Sequence, residues 1–291
     1  MNSSSIWDAL PWRRRKQLRQ LSRSALVYLI LGLLSILFLI PFFWMISTSF
    51  KPPRLIYVDP PVWIPDPITL DNFINGWKQL NWAQFYQNSA IITVLSVIGG
   101  LISSSIVGFA FASLNGRGKN FLFALLLATL MVPAVVTLIP TFIMFSKVGW
   151  VNTFLPLIVP QWFANPFYVF MFRQFFLTIP HELYDSAELD GCTPFDLYWR
   201  IAVPLSGPVF ATAALFAFLG AWNDFQAPLI YISELKKYTL TLGLAMFQGL
   251  FGTQLQYMMP MALLAMIPIL VLFFLAQKYF VRGIATTGMK M

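Results

Sequence analysis

The sequence predicts an all-α polytopic membrane protein with six spanning helices, and three observations lead there. Of its 291 residues 58% are hydrophobic, against about 45–50% in soluble chains. Only 10% are charged, against about 25% in an ordinary globular domain. Six stretches are apolar over the roughly 20 helical residues that a hydrocarbon core requires. A soluble enzyme is excluded on these grounds.

The net charge of +8 does not indicate nucleic acid, because Lys and Arg are not interleaved along an exposed polar face. Six of the nineteen basic residues crowd between Arg13 and Arg23, the pattern of a membrane-orientation signal. Cys192 is the single cysteine and His181 the single histidine. An internal disulfide and a Cys/His metal site are therefore not expected, and for both residues a structural role is the reading.

Residues 1–24 form a basic cytoplasmic segment, followed by the first span, Ala25 to Phe50. Its apolar run far exceeds the 7–15 residues of a signal-peptide core, so it is retained as helix one. The external cap, residues 51–87, carries Pro52, Pro53, Pro60, Pro61, Pro65 and Pro67 and then turns amphipathic with Leu70, Phe73, Trp77 and Leu80. Proline removes backbone donors, so an irregular segment leading into a surface helix is expected.

The second span, Asn88 to Leu114, carries Ser89, Thr93, Ser96, Gly99, Gly100, Ser103, Ser104, Ser105 and Gly108. Small residues let helix backbones approach and hydroxyls bond across the contact. Helix packing is the first reading of this row and a polar substrate lining the second. The third and fourth spans run from Phe121 to Phe145 and from Phe154 to Phe176. Pro133, Pro140, Pro156, Pro160, Pro260 and Pro268 each free a carbonyl at membrane depth, and kinks around a passage are expected there.

The fifth span, Leu205 to Tyr231, contains Trp222, Asn223 and Asp224. If one helix runs its length, Asp224 lies about 28 Å along it. An acid at such depth is either a functional group of the passage or a helix cap, since leaving it in lipid costs about 2.5–3.5 kcal/mol. One acid is too few for the relay that proton coupling uses. An external loop, residues 232–258, leads to the sixth span, Met259 to Phe280, and to a cytoplasmic tail, residues 281–291.

Orientation follows from the basic residues, which concentrate in cytoplasmic loops. With the N-terminus inside, thirteen are cytoplasmic, including Arg117, Lys119, Arg173, Arg200, Lys278, Arg282 and Lys290 with the N-terminal cluster. Six are external: Lys51, Arg54, Lys78, Lys147, Lys236 and Lys237. Both termini are accordingly expected in the cytoplasm.

The cytoplasmic loop 177–204 holds five of the eleven acids, Glu182, Asp185, Glu188, Asp190 and Asp196. Pro180 suits a first helical turn, Glu182 complements a helix N-terminus and Gly191 suits the left-handed residue that ends a helix. A helix of about eleven residues is expected, with Leu183, Tyr184 and Ala187 on its apolar face. Thr193, Pro194 and Asp196 then read as the cap, first residue and capping-box partner of a second helix. Acids on the polar face are repelled by an anionic leaflet. Docking onto a cytoplasmic protein is the reading that remains.

At this loop, DSAELDGCTPFDLYWRIAVPLSGP resembles the EAA loop of ABC-importer permeases. Asp185, Ser186 and Ala187 stand for E-A-A, Asp190 and Gly191 for D-G, and Ile201, Pro204 and Leu205 for the tail of the pattern. The departures are Asp185 for Glu and Ser186 for Ala, conservative in charge and size respectively. TLDNF at Thr69, NS at Asn88, WNDFQAPLI at Trp222 and QKYFVRGIATTGMKM at Gln277 narrow the resemblance to the MalG-like carbohydrate branch.

The resemblance implies a type I ABC importer permease fold, in which two permeases form one pore. The implied partners are a MalF-like second permease, two ATPase subunits beneath, identical or different, an extracellular binding protein that delivers the sugar, and membrane lipid. ATP and Mg would be bound by the ATPase, and no cofactor by this chain. Glu182, Asp185, Ser186, Ala187, Asp190 and Gly191 would enter a cleft on the ATPase. Trp222, Asn223 and Asp224 would lie near the translocation path, and Thr287, Gly288 and Lys290 in the tail would approach the ATPase interface. Lys236 to Met259 would correspond to the loop that reaches into the binding protein.

The residues themselves agree on one point, since no G-x-x-x-x-G-K-[ST] phosphate loop occurs. Rival readings are a permease for glycerol-3-phosphate or a related polyol, and a stand-alone secondary transporter, which would need several buried ionisable groups or a visible inverted repeat. An intramembrane enzyme would need paired acids or a Ser/His or metal constellation at depth, and none is present.

Overall fold

The computed structural model describes residues 12–249 and 252–287. Contacts divide the chain into two units, the first comprising residues up to Ile74 with Leu255–Leu263, the second Asn75–Gln254 with the rest of the C-terminal helix.

In the first unit, α1 (Trp12–Ser49) opens on a basic stretch and is apolar all round from Ala25 to Ile46. Its side chains from Gln20 to Pro41 are exposed, so this helix is built for lipid or for another subunit rather than for water. After it the chain turns through Pro53–Leu55 into the irregular proline segment. Asn72 fastens that segment back by donating to the carbonyls of Lys51 at 2.6 Å and Ser49 at 3.1 Å. The buried Lys51 ammonium lies 3.6 Å from the centroid of the Trp44 ring, a cation–π contact that offsets lost water. Burial lowers its pKa from the usual lysine range. The expected surface helix is α2 (Asp71–Gln79).

The second unit is organised around α3 (Trp82–Ser113). Asn81 starts it, its side chain accepting from the Gln84 N–H. Its glycines are a packing device. A Cβ on Gly108 would lie 2.7 Å from Phe172 Cβ, and one on Gly99 would lie 2.3 Å from the Trp162 ring. The helix that approaches Gly108 is α6, and it follows α4 (Lys119–Ala128) and α5 (Ala134–Lys147).

Six uninterrupted spans are not what the chain forms. Among the described residues three helices are long and apolar enough to cross a bilayer, five if each of two bent pairs counts as one span. The third predicted span is α4 and α5, which meet at 95° where Pro133 breaks the helix. The fourth is interrupted at Ala164, whose φ is +60°, and resumes as α6 (Pro166–Phe176). Pro156, Pro160 and Pro166 fall within this stretch and withhold three backbone donors. The fifth is α8 (Gly207–Trp222), set at 81° to the helical segment Pro194–Leu205. It stops at Asn223 and restarts as α9 (Gln226–Tyr231), so no single helix carries Asp224 at a fixed depth.

Between α6 and α8 lies α7 (His181–Leu189). Beyond α9 come α10 (Leu240–Ala245), the two-residue strands β1 (Gln248–Gly249) and β2 (Gly252–Thr253), and α11 (Leu255–Thr287).

Candidate functional site

Two sites share α3. The first is a polar cavity of about 220 Å³. From α3 it takes Ser89 and Ser96, from the interrupted segment Gln161 and Asn165, and from α6 Tyr168. Ala217, Gly220 and Ala221 of α8 form a smooth side, with Asp224 and Thr239 adding oxygens.

The interruption at Ala164 exists because α3 holds it. Ser103 Oγ accepts from the Ala164 N–H at 3.1 Å and Ser104 Oγ from the Asn165 N–H at 2.9 Å. These hydroxyls satisfy donors that a break in a spanning segment would otherwise orphan. Asn165 then caps α6, its Oδ1 accepting from Phe167 N–H at 2.9 Å. The serine row is thus first a packing device, since Ser96 donates to the Leu157 carbonyl and Ser89 accepts from the Leu240 N–H as well. Ser103 and Ser104 fasten the neighbouring segment, while Ser89 and Ser96 face the cavity.

Asp224 likewise does two things. Its Oδ1 accepts from the Ala227 N–H at 3.2 Å, capping α9, and its carbonyl accepts from Thr241 Oγ1 at 2.7 Å. The half-buried carboxylate is the one charged group on the cavity wall. Trp222 points elsewhere. It is buried, donates Nε1–H to the Ala265 carbonyl at 3.0 Å and stacks on Phe218. Asn223 donates to the Leu219 carbonyl of its own helix. Of the three residues named from the sequence, the cavity receives Asp224. Gln161, Asn165 and Tyr168 carried no sequence signal, because a break in the fourth span is what turns them inward.

The second site is the loop 177–204. Pro180 precedes α7 as its cap residue, and Glu182 lies in the first turn. Gly191, with φ +82°, closes the helix. Its N–H donates to the Glu188 carbonyl at 3.0 Å and that of Cys192 to Ala187 at 2.9 Å, a Schellman pair. The capping box is present, with Asp196 N–H donating to Thr193 Oγ1 and Thr193 N–H to Asp196 Oδ2. The Thr193 hydroxyl, which donates to Asp196 Oδ2 at 2.5 Å, and the Thr193 N–H, with Arg200 at 3.2 Å, hold the Asp196 carboxyl below its usual 3.8.

Glu182, Asp185 and Ser186 are exposed and share one face of α7 with Leu189, itself 90% exposed. Asp190 and Gly191 extend that surface, while Ala187 is half-buried behind it. On the inner face Tyr184 is buried, but Leu183, expected beside it, is exposed. Phe195 and Trp199 stand out as well, at 68% and 62%. Acids interspersed with bare apolar side chains make a surface suited to a protein partner. In the tail, Thr287 is the last residue of α11, and Gly288 and Lys290 lie outside the described residues.

A family model for the binding-protein-dependent transport system inner membrane component matches residues 104–286, a stretch that takes in the loop, the broken segments and most of α11. The chain belongs to this family. The arabinooligosaccharides transport system permease protein AraQ of Halalkalibacterium halodurans is 36% identical over 254 residues, covering 86% of this chain and 90% of its own length. The diacetylchitobiose uptake system permease protein DasC of Streptomyces coelicolor is 32% identical over 252 residues, covering 86% and 91%. A chain in the crystal structure of a bacterial ABC transporter involved in the import of the acidic polysaccharide alginate has the same fold, with a TM-score of 0.79. It is 19% identical, over 94% of this chain and 100% of that one. The protein is thus a multi-pass membrane permease of an ABC importer, a non-catalytic subunit whose ATPase is a separate chain.

Proposed function

We propose that this chain is one of two permeases lining the path of a sugar or oligosaccharide importer. The observation that carries this reading is the cavity wall: hydroxyls and amides around one acid, with no basic residue among its lining. Such a wall offers hydrogen bonds to a neutral polyol and repels a phosphate ester, which favours sugar over glycerol-3-phosphate. The names of AraQ and DasC, which specify arabinooligosaccharides and diacetylchitobiose, support the same class. At about 220 Å³ the cavity is smaller than the roughly 300–1,000 Å³ of sites that enclose a drug-sized ligand. A second permease supplies the remainder.

In this reading the chain crosses the membrane six times with both termini in the cytoplasm. The three long helices, the bent pair α4 and α5, the interrupted segment around Ala164, and α8 with α9 are the crossings. Glu182, Asp185, Ser186, Ala187, Asp190 and Gly191 dock onto the ATPase, and Thr287, Gly288 and Lys290 approach the ATPase dimer. ATP and Mg belong to that partner. Residues 236–259 meet an external binding protein that delivers the sugar.

Mechanistically, closure of the ATPase dimer displaces α7, and a rigid-body switch between two packed states turns the cavity outward. The test is to purify the tagged chain from its native membrane in mild detergent and identify its companions. A phosphate-loop ATPase and a second permease in about 2:1:1 proportion, with ATPase activity stimulated by arabinooligosaccharide or diacetylchitobiose and a binding protein, is the expected result. Recovery of the chain alone after cross-linking overturns the proposal.

A further inference from the structure

One side-chain hydrogen bond ties the buried side of loop 177–204 to α3, away from the cavity. Residues Leu197–Ala202 form a π-helical turn, a geometry that recurs at functional sites. Within it Leu197 and Tyr198 are buried while Trp199 and Arg200 are exposed. The Tyr198 hydroxyl lies 2.7 Å from Ser105 Oγ, and Ser105 is fully buried in α3. Ser105 also donates to the Ile102 carbonyl at 3.1 Å, which leaves its lone pairs for the tyrosyl proton.

One turn along α3, the Phe109 ring meets Tyr198 at 5.5 Å, Tyr184 of α7 at 6.0 Å and Phe176 of α6 at 5.7 Å. The loop is therefore gripped on one face of α3 by the rings of Tyr184 and Tyr198 and, among the described residues, by the Tyr198–Ser105 hydrogen bond. Ring contacts are non-directional and survive a slide of an ångström or so, whereas a buried hydrogen bond does not. At the far end of the same helix, nine and sixteen residues away, Ser96 and Ser89 stand in the cavity wall, about 14 and 24 Å from Ser105 at the helical rise.

We propose that Ser105 and Tyr198 are positioning residues that lock the ATPase-facing loop to α3 in one register. Movement of α7 then reaches the cavity wall instead of being absorbed by slippage of the aromatic cluster. The inference rests on the reading of loop 177–204 as the ATPase-facing surface.

The test uses the assembled complex with Cys192→Ser as background and Ala217→Cys as a reporter in the cavity wall. Labelling by a water-soluble maleimide is compared without nucleotide and with ATP plus vanadate, alongside ATPase rate and melting temperature. In this parent the labelling rate changes with nucleotide. Tyr198→Phe and Ser105→Ala are each expected to reduce that nucleotide-dependent change about fivefold, the weight of one buried hydrogen bond, while ATP hydrolysis persists and the melting temperature falls by only about 2–4 °C. The double variant is expected to be no worse than either single one. Retention of the full change in either single variant, or additive losses in the double, overturns the lock. If Tyr198→Phe fails to assemble, Ser105→Ala decides alone, since it removes one oxygen and no packing. Absence of any nucleotide effect in the parent overturns the ATPase-facing reading itself, a failure recognisable before any substitution in the pair.

Discussion

The Asn88 amide donates to the carbonyl of Tyr238 at 2.9 Å, across 150 residues of sequence. It also donates to the Lys236 carbonyl at 2.9 Å and accepts from Gln84, while the neighbouring Ser89 Oγ accepts from the Leu240 N–H. These bonds hang the segment Lys236–Leu240 on the start of α3 and set Thr239 and Ser89 together in the cavity wall. Replacing Asn88 by Ala strands two carbonyls in a largely buried setting, which costs about 1–3 kcal/mol. A fall in melting temperature accompanied by faster proteolysis within residues 232–245 is expected, and the melting curve checks it.

Close approach of α3 and α6 is the second prediction. A Cβ on Gly108 would meet Phe172 Cβ at 2.7 Å and the backbone of Arg173 and Val169 at 3.1 Å, none of which is the yielding tip of a flexible side chain. Gly108→Ala is expected to lose about 1–3 kcal/mol through overpacking. Gly116→Ala, where nothing lies within 4 Å of the new atom, is expected to stay within about 0.5 kcal/mol. Parallel unfolding curves of the two variants decide the matter.

On α7, Asp185→Lys reverses a charge on the exposed face, and Gly191→Pro removes an N–H that donates to Glu188 at a φ that proline cannot adopt. Both variants are expected to insert and fold, yet to lose ATPase co-purification and transport by about tenfold or more, in line with losing about 1.4 kcal/mol of coupling. Normal transport in both would remove the loop from the mechanism.

Asp196 carries a pH dependence whose sign is determined by its hydrogen bonds to Thr193. Its carboxyl titrates below the usual 3.8 in the folded loop, so its stabilisation is complete above that value and is lost as pH falls through the lowered one. Rate-corrected hydrogen exchange of residues 193–200 is therefore expected to be flat near neutrality and to rise in acid. Asp196→Asn, which retains an acceptor but not the charge, is expected to flatten the acid limb.

Asp224 separates capping from charge. Asparagine caps helices as well as aspartate does, so Asp224→Asn is expected to leave the melting temperature unchanged while altering transport. Asp224→Ala is expected to lose about 1 kcal/mol as well, through the orphaned Ala227 N–H. Unaltered transport in the Asn variant would reduce Asp224 to a cap.

Much of α7 and its flanks was legible in the sequence because its devices are local. Pro180, Gly191 and the Thr193–Asp196 box each act within a few residues, and the structure has all of them where short-range stereochemistry places them. Leu183 departed from its expected face because the residues of α7 that pack into the cluster around Phe109 of α3 are Tyr184 and, in part, Ala187, which leaves Leu183 exposed. Spans were less legible. Hydropathy reports that a stretch is apolar, not that it is one helix, so the right-angle break at Pro133 and the positive φ at Ala164 escaped it.

By itself the sequence determined that the chain is helical, that it lives in a membrane, that it lacks a phosphate loop and that one loop, 177–204, gathers five of the eleven acids between local helix caps. Each of these depends on composition or on residues within one turn of each other. Only the tertiary structure decided that Ser103 and Ser104 hold open a break in the fourth span, that Asp224 faces the cavity while Trp222 turns away, and that Tyr198 finds Ser105. The hydrogen bonds among these join residues 61 and 93 positions apart. In a chain this apolar, every span has the same drive to leave water, so hydropathy selects no partner. Which polar atoms meet is settled by the need to satisfy donors and acceptors once the helices are packed.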